Sequence, residues 1–227
     1  MTLCMKKLFI IANWKSNKTI EEAEKWFHDF SEKLLSESPD LSNKEIIVCP
    51  SFTLLEHSRY CLDNLKLPIK IGAQNISPYD GGAYTGEVNG EQIKEIAEYV
   101  IIGHSERRQN LSENNEMIKP KVLMAKKYNL TPIFCIQNEE TEVPAEINII
   151  AYEPPTAIGT GNPDTPENAQ RVAGIVKEKT RVQNILYGGS VTSSNVKTFT
   201  DMPNIDGLLV GGASLDPLEF LEIIKNA

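Results

Sequence analysis

Eight short apolar segments recur along the chain, and their spacing constrains the fold more than any other feature. Most are nearly continuous in Val, Ile and Leu rather than alternating with polar residues. Strands of this kind are buried on both faces, as in parallel sheets. The sequence therefore predicts eight parallel strands, at residues 8–12, 46–49, 69–73, 100–102, 131–136, 147–152, 184–187 and 207–210.

Helix-start signals lie between these segments. The clearest starts combine a capping side chain with an acidic residue or a proline in the first turn. They predict helices from Thr19 to about Lys33, from Thr165 to about Lys179, and from Asp216 onward, where Asp216 and Glu219 form a capping-box pattern. A further helix is expected from Glu113 to Tyr128, and Pro120 inside it should kink or restart it.

The alternation of strands and helices indicates a parallel sheet with right-handed crossovers. Eight strands in 227 residues, without linkers or repeats, indicate one α/β domain, residues 1–227, folded as a (β/α)8 barrel. One crossover differs from the others. It reads QNEETEVPAEI from Gln137 to Ile147, which is acidic, contains Pro144 and lacks apolar periodicity. We therefore expect the helix between strands 5 and 6 to be missing or reduced, and this part to be less stable.

The composition argues against several classes of partner. The formal net charge is −8, with 23 Lys and Arg against 31 Asp and Glu, which disfavours nucleic acid and anionic membranes. No apolar segment is long enough to span a bilayer, and residues 1–7 lack a signal-peptide pattern. The four cysteines show no metal-binding spacing; Cys49 and Cys135 lie in predicted strands, and Cys4 and Cys61 are candidates for exposed thiols. We expect a reduced, cytoplasmic protein without a metal.

The segment that follows the sixth strand carries the clearest chemical signal. Glu153 ends an apolar run, Pro154 and Pro155 follow it at once, and a turn containing Gly159 and Gly161 comes next. Prolines stiffen the exit of the chain, and glycines let backbone N–H groups approach an anion. A base, a stiff hinge and an anion-binding turn are typical of an enzyme that closes a lid over a phosphorylated substrate.

Further polar residues follow the first and fourth strands. Because functional residues of such barrels lie at the carboxyl ends of strands, Lys15 and His104 are candidates for substrate contacts. A lysine there can be a plain surface charge, but Asn13 and Trp14 flank it instead of other solvated charges. A single histidine is more often structural, but His104 is followed by charged residues, of which Glu106 could orient Lys15. The next two, Arg107-Arg108, are expected to form a structural ion-pair network.

Glycines follow the seventh and eighth strands, at Gly188-Gly189-Ser190 and Gly211-Gly212. One such pair is a weak signal. Pairs after both of these strands, with the turn at Gly159, are typical of the phosphate site of a (β/α)8 barrel.

Taken in order, these segments resemble the triosephosphate isomerase family, whose fold is the TIM barrel. The resemblance covers almost the whole chain. It rests on Asn13-Trp14-Lys15, Gly72-Ala73-Gln74-Asn75, Gly82-Ala83-Tyr84-Thr85-Gly86-Glu87, Ile101-Ile102-Gly103-His104-Ser105-Glu106-Arg107-Arg108, Thr131-Pro132-Ile133, Ala151-Tyr152-Glu153-Pro154, Ala157-Ile158-Gly159-Thr160-Gly161, Tyr187-Gly188-Gly189-Ser190-Val191 and the run from Asp206 to Leu215.

The resemblance implies an aldose–ketose isomerase of glycolysis and gluconeogenesis, which interconverts dihydroxyacetone phosphate and glyceraldehyde 3-phosphate through an enediolate. The family is known for these roles: Glu153 matches its catalytic base, and His104 matches a neutral imidazole whose pKa a helix N-terminus holds down. Lys15 and Asn13 match groups that bind the reacting oxygens, and Glu106 matches the carboxylate beside the lysine. The phosphate is expected on backbone N–H groups of Gly159, Ser190, Gly211 and Gly212. No metal or organic cofactor is implied.

The resemblance also bears on assembly and on the lid. In the family, the loop from Asn75 to Glu87 reaches into a second subunit, which implies a homodimer; the missing helix argues against a tetramer. Pro155-Thr156 and Asn162-Pro163-Asp164 depart from the family at the two lid hinges, so we expect an open lid that is less firmly docked. Two alternatives stay open: a degenerate homologue that only binds phosphorylated ligands, and another phosphate-binding barrel isomerase, such as one acting on a phosphoribosyl compound.

Overall fold

The eight predicted strands form one closed barrel. The computed structural model describes residues 6–159 and 161–227. In this part of the chain, neighbouring strands pair in parallel in chain order, and the last pairs with the first. The (β/α)8 barrel is confirmed, although the sixth strand begins two residues later than predicted. The strands are β1 Leu8–Asn13, β2 Lys44–Cys49, β3 Ile69–Ala73, β4 Tyr99–Ile102, β5 Thr131–Ile136, β6 Ile149–Tyr152, β7 Asn184–Tyr187 and β8 Gly207–Val210.

Both faces of these strands are buried, which explains their continuous apolar sequences. Ile11, Ile47 and Ile133 belong to a cluster made only of alternate strand residues, which fills the barrel. Their neighbours, such as Ile10 and Val48, belong to the larger cluster that packs under the helices. Because successive side chains of a strand point to opposite faces, each strand contributes to both layers.

Helices flank the barrel, and the predicted helix starts are present. Thr19 makes both bonds of its capping box: its hydroxyl accepts from Glu22 N at 3.3 Å, and its N–H donates to the Glu22 carboxylate at 2.7 Å. The helices in the described residues are α1 Ile20–Glu37, α2 Leu55–Leu65, α3 Gly90–Lys94, α4 Ser105–Asn110, α5 Asn115–Lys127, α6 Pro166–Thr180, α7 Val196–Thr200 and α8 Pro217–Asn226.

Two local expectations are corrected. The prediction at Pro120 was a kink or a restart; α5 runs through Pro120 as one helix, so a restart there is wrong. Burial of Ile118 and Val122 on its inner face offsets the one backbone hydrogen bond that proline removes. At the start of α8, Asp216 caps the helix, but Glu219 does not complete the capping box. Its carboxylate accepts instead from the backbone N–H and hydroxyl of Ser193, at 2.7 and 3.0 Å.

The crossover between β5 and β6 contains turns but no helix, as predicted. Side chains of the adjacent helices pair with its acidic residues from both sides. The four ion pairs are Lys119–Glu142 at 3.5 Å and Lys126–Glu146 at 3.0 Å from α5, and Arg171–Glu139 at 2.8 Å and Lys179–Glu140 at 2.8 Å from α6. The acidic composition that argued against a helix therefore serves to hold an irregular segment against its neighbours.

The cysteines of the described residues are unpaired and buried. Cys49 and Cys135 lie in β2 and β5, as predicted. Cys61 is also buried, within α2, so its expected exposure is wrong. Cys4 lies outside the described residues. None of the described helices is long and apolar enough to cross a membrane.

Candidate active site

The predicted site residues converge at the carboxyl ends of the strands. One cavity of about 300 Å³ is lined by Asn13, Lys15, His104, Glu153, Gly159, Ser190, Gly211 and Gly212, among others. Glu106 lines a second cavity of about 230 Å³, which shares Lys15 and His104 with the first. No residue singled out as catalytic or phosphate-binding lies elsewhere. Among the described residues there is also no cluster of side chains able to hold a metal ion.

Glu153 is held by a network of donors at the end of β6. Its side chain is 1% exposed, and Oε1 lies 2.9 Å from His104 Nε2. Oε2 accepts from the Ser105 N–H at 2.8 Å and from the Ser105 hydroxyl at 2.9 Å. Ser105 was not singled out from the sequence, although it stands between two residues that were. Every oxygen of the carboxylate thus has a donor in the arrangement seen here.

The orientation of the His104 ring follows from its place at the start of α4. Its Nδ1 accepts from the Glu106 N–H at 3.2 Å, so we assign the ring proton to Nε2, which donates to Glu153. A positive imidazole would carry a second proton at Nδ1, facing that N–H. The helix start therefore favours a neutral imidazole, which is the protonation state that the family resemblance implied.

The carboxylates around His104 act in the opposite direction. Burial lowers the pKa of His104, but Glu153 and Glu106 raise it by more, so the net shift is upward. For Glu153, burial raises the pKa, whereas His104 and Ser105 lower it by more, so the net shift is downward. Both shifts depend on the contact between the two side chains, and they should diminish when Glu153 moves away from the ring.

Lys15 has a strained backbone at the end of β1. Its φ is +54°, a left-handed conformation that costs a non-glycine residue roughly 1–2 kcal/mol. The Asn13 side chain accepts from its N–H at 3.1 Å, and the Gln74 amide donates to its carbonyl at 2.9 Å. Its ammonium group lies 2.5 Å from Glu106 Oε1. Three contacting groups therefore aim the lysine into the cavity at a cost in strain, which is typical of functional sites.

The glycines after β7 and β8 leave room for the charged side chains. A Cβ at Gly188 would lie 2.8 Å from Glu153 Cγ, and a Cβ at Gly211 would lie 3.1 Å from Lys15 Cε. A short 3-10 helix begins at Gly212, so N–H groups cluster at this rim. The rim can therefore approach an anion closely without displacing the lysine or the carboxylate.

The two arginines after His104 have structural contacts. Arg107 Nε lies 3.2 Å from Glu113 Oε1, and Arg108 Nε donates to the Gly103 carbonyl at 2.8 Å. Glu113 also contacts the buried ammonium group of Lys121. The sequence indicated this network only through the arginines. None of its residues lines the cavity of about 300 Å³, and Arg107 lines the second cavity of about 230 Å³.

The fold and the site together define a class of protein. A closed (β/α)8 barrel with a buried carboxylate–imidazole pair, an aimed lysine and a glycine rim at its carboxyl end is an enzyme architecture for acid–base chemistry on an anionic substrate. The family model described as triosephosphate isomerase matches residues 8–227. The chain belongs to the triosephosphate isomerase family.

Several curated relatives are similar over their whole length. The triosephosphate isomerase of Mesomycoplasma hyopneumoniae strain 7448 is 40% identical over 249 residues, covering 98% of this chain and all of the relative. That of Dictyoglomus turgidum is 39% identical over 259 residues, with the same coverage. That of Shewanella loihica is 38% identical over 262 residues, covering 99% of each chain. These alignments are longer than the 227 residues here, so the relatives contain segments that this chain lacks.

Proposed function

We propose that this chain interconverts dihydroxyacetone phosphate and glyceraldehyde 3-phosphate through an enediolate, in glycolysis and gluconeogenesis. The observation that carries the proposal is the convergence of Glu153, His104 and Lys15 on one glycine-rimmed cavity of about 300 Å³. Membership of the family and the names of the relatives support it. The three cysteines in the described part of the chain are unpaired and buried, which agrees with the reducing cytoplasm that the proposed pathway implies.

Glu153 is the proposed base. It takes a proton from one carbon of the triose and returns it to the neighbouring carbon. In the arrangement seen here, both carboxylate oxygens are engaged by His104 and Ser105, which lowers the pKa of Glu153. The carboxylate must leave these donors to reach the substrate. Because it remains buried when it does so, its pKa rises and it becomes a stronger base.

The other polar groups are proposed to stabilise charge on the reacting oxygens. When the Glu153 carboxylate moves away, the His104 Nε2–H is free to donate to the carbonyl oxygen of the substrate. The Lys15 ammonium group neutralises the developing enediolate. Asn13 accepts from Lys15 N through Oδ1, so its amide NH₂ is oriented as a donor. Glu106, in contact with Lys15, keeps the ammonium group in place. All these steps use side chains of the protein and require no metal or cofactor.

The phosphate group is proposed to bind at the glycine rim. Backbone N–H groups of Gly159, Ser190, Gly211 and Gly212 provide donors without introducing a fixed charge. Gly159 belongs to the lid, residues 154–161, whereas the other three belong to the barrel. Binding energy from the phosphate can therefore close the lid and exclude water from the enediolate.

The variant Glu153→Gln tests this proposal. A coupled assay with glyceraldehyde 3-phosphate should show turnover reduced by about 10²- to 10⁴-fold, because an amide cannot take up the proton. Binding of a phosphorylated substrate analogue should survive. The matched control is Glu32→Gln, on the exposed side of α1, which should retain wild-type turnover.

The same assay separates the alternatives. A wild-type chain that binds the analogue but does not isomerise the triose would be a degenerate homologue. Turnover of a phosphoribosyl compound instead of the triose would identify another barrel isomerase. Wild-type turnover in Glu153→Gln would refute the role of the base.

We further propose that the protein is a homodimer, in which each subunit is one domain of residues 1–227. The loop of residues 75–87 is exposed from residue 79 to 87, and at its tip Tyr79 and Tyr84 stack with ring centroids 4.1 Å apart. These rings are 48% and 44% exposed. The cavity of about 230 Å³ beside Lys15 offers a place for such a loop from a second copy. A protrusion and a pocket on one chain suit a two-fold interface.

A further inference from the structure

The second hinge of the lid contains a carboxylate with several donors around it. Asp164 Oδ2 accepts from the Tyr152 hydroxyl at 3.1 Å and from the Asn168 amide at 2.7 Å. Its Oδ1 accepts from the Thr165 N–H at 2.8 Å. Its own backbone N–H donates to the Tyr187 hydroxyl at 2.8 Å. One residue therefore connects the end of the lid to three separate elements.

The partners of Asp164 lie at the ends of the strands that carry the site. Tyr152 is the last residue of β6 and immediately precedes Glu153, and Tyr187 is the last residue of β7 and precedes the glycines there. Asn168 lies in the first turn of α6. The connection thus joins the lid, the proposed base and the phosphate rim through side chains that do not touch the substrate cavity themselves.

We propose that the Asp164 carboxylate is a positioning residue that anchors the second hinge of the lid to the ends of β6 and β7. The inference rests on the proposed isomerase activity and adds a component to it. An ionised carboxylate is an acceptor only, with lone pairs for several donors, so it suits a place where a hydroxyl, an amide and an N–H converge. An amide side chain there would point its own NH₂ at one of these donors.

The anchor determines how the lid closes. Near its first hinge, the lid is held where the Ser190 hydroxyl donates to the Ala157 carbonyl at 2.8 Å. The Asp164 carboxylate adds an attachment at the far end, so the lid is tied to the barrel near both hinges. Without the Asp164 side chain, that residue loses its hydrogen bonds with Tyr152, Asn168 and the Thr165 N–H and keeps its backbone contact to Tyr187. The closed lid would then open more often while the enediolate is present.

An open lid has a chemical signature. In an enediolate exposed to water, the oxyanion electrons re-form a carbonyl, and the C=C electron pair forms a new double bond to the carbon that carries the phosphate. The C–O bond between that carbon and the phosphate breaks, and inorganic phosphate leaves with the electron pair of this bond. The remaining enol tautomerises to methylglyoxal. The number of phosphates released per isomerisation therefore measures lid closure, independently of how much active enzyme is present.

The experiment compares Asp164→Ala, Asp164→Asn and Tyr152→Phe with the wild type. Asp164→Ala should raise phosphate release per isomerisation by about tenfold and raise KM for the triose, as expected for loss of hydrogen bonds to a charged group. Phosphate release and KM of Asp164→Asn should lie between those of Asp164→Ala and the wild type. Tyr152→Phe should also raise phosphate release per isomerisation. In the variant that combines Asp164→Ala with Tyr152→Phe, the increase should be smaller than the product of the two single increases.

Thr165→Ala is the matched control, because it removes the hydroxyl that accepts from Asn168 N at 3.2 Å but leaves the Asp164 carboxylate in place. It should lower stability without changing phosphate release per turnover. Wild-type release and KM in Asp164→Ala, or the same increase in Thr165→Ala, would overturn the proposal. A wild-type chain without isomerase activity would instead refute the proposed function, so the two failures are distinguishable.

Discussion

At the residue scale, Ser105 controls the state of the proposed base. Its hydroxyl and N–H both donate to the carboxylate of Glu153, and hydrogen bonds to the charged form lower the pKa of a carboxylate. The Ser105→Ala variant removes one of these donors and keeps the backbone N–H and His104. The pKa of Glu153 in the free enzyme should therefore rise, but by only part of its total shift.

We predict that Ser105→Ala moves the acid limb of the kcat/KM profile to higher pH. The base must be deprotonated to accept a proton, so a higher pKa for Glu153 means that activity is lost earlier as the pH falls. The profile is measured with the coupled assay across the acid range. Ser36→Ala, an exposed serine on α1, is the matched control and should leave the limb in place. An acid limb that stays in place or moves to lower pH in Ser105→Ala would contradict the role of the hydroxyl.

The structure brings the residues with strong local signals together in one cavity. Lys15, His104 and Glu153 were singled out because each follows a predicted strand and differs in character from its neighbours. Ser105 and Asp164 were not given roles, because their partners lie in other strands and spacing along the chain does not reveal them. Glu219 illustrates the opposite error. Its position suggested a capping box with Asp216, but its carboxylate accepts from Ser193, which lies in another loop.

At the element scale, the β5–β6 crossover is the least regular part of the barrel wall. Four ion pairs hold it, and their acidic partners are largely at the surface. Pairs of this kind contribute only about 0–1 kcal/mol each and are weakened by salt. A helix in this place would instead bury an apolar face and satisfy its own backbone groups.

We predict that amides of residues 137–148 exchange with solvent much faster than those of β5. The turns there offer little protection, whereas the ladder of β5 is buried on both sides. Hydrogen exchange followed by mass spectrometry measures the difference. Added salt should increase the exchange of the crossover further and leave that of the buried β5 ladder unchanged. Exchange in the crossover as slow as in β5 would show that the missing helix has no local cost.

The agreement between predicted and observed elements follows from the range of the interactions involved. Thr19 and Thr165 start their helices as predicted because a cap acts within one turn. The restart predicted at Pro120 does not occur because the apolar face of α5 packs against β4 and β5, and this burial outweighs the local effect of the proline. The crossover was recognised from composition alone, since a segment without apolar periodicity has no face to bury.

At the scale of the whole molecule, closure of the barrel followed from the alternation and number of the strands. The proposed assembly of two copies does not follow from local sequence signals of this kind. The exposed tyrosine pair and the cavity beside Lys15 lie on the same side of the chain as the proposed chemistry. The state of assembly and the activity should therefore be linked.

We predict that Tyr79→Ser with Tyr84→Ser weakens the proposed dimer and lowers turnover. Without these rings the loop of residues 75–87 has less apolar surface to bury in a second copy, and the surroundings of Lys15 become more open to water. Light scattering gives the mass, and the coupled assay over a dilution series gives the activity. Tyr60→Ser, on the exposed side of α2, is the matched control. A wild-type chain that is a stable, fully active monomer would contradict the proposal.

The short distance between Gly188 and the Glu153 side chain can also be used to interpret the sequences of relatives. A side chain at that position would occupy the space of the Glu153 carboxylate stem. In a newly sequenced relative, any residue other than glycine there would report that the acid has been displaced, even where the glutamate itself is retained. Position 188 can therefore serve as a checkpoint when genomes are screened for members of the family that have kept the glutamate but lost the reaction.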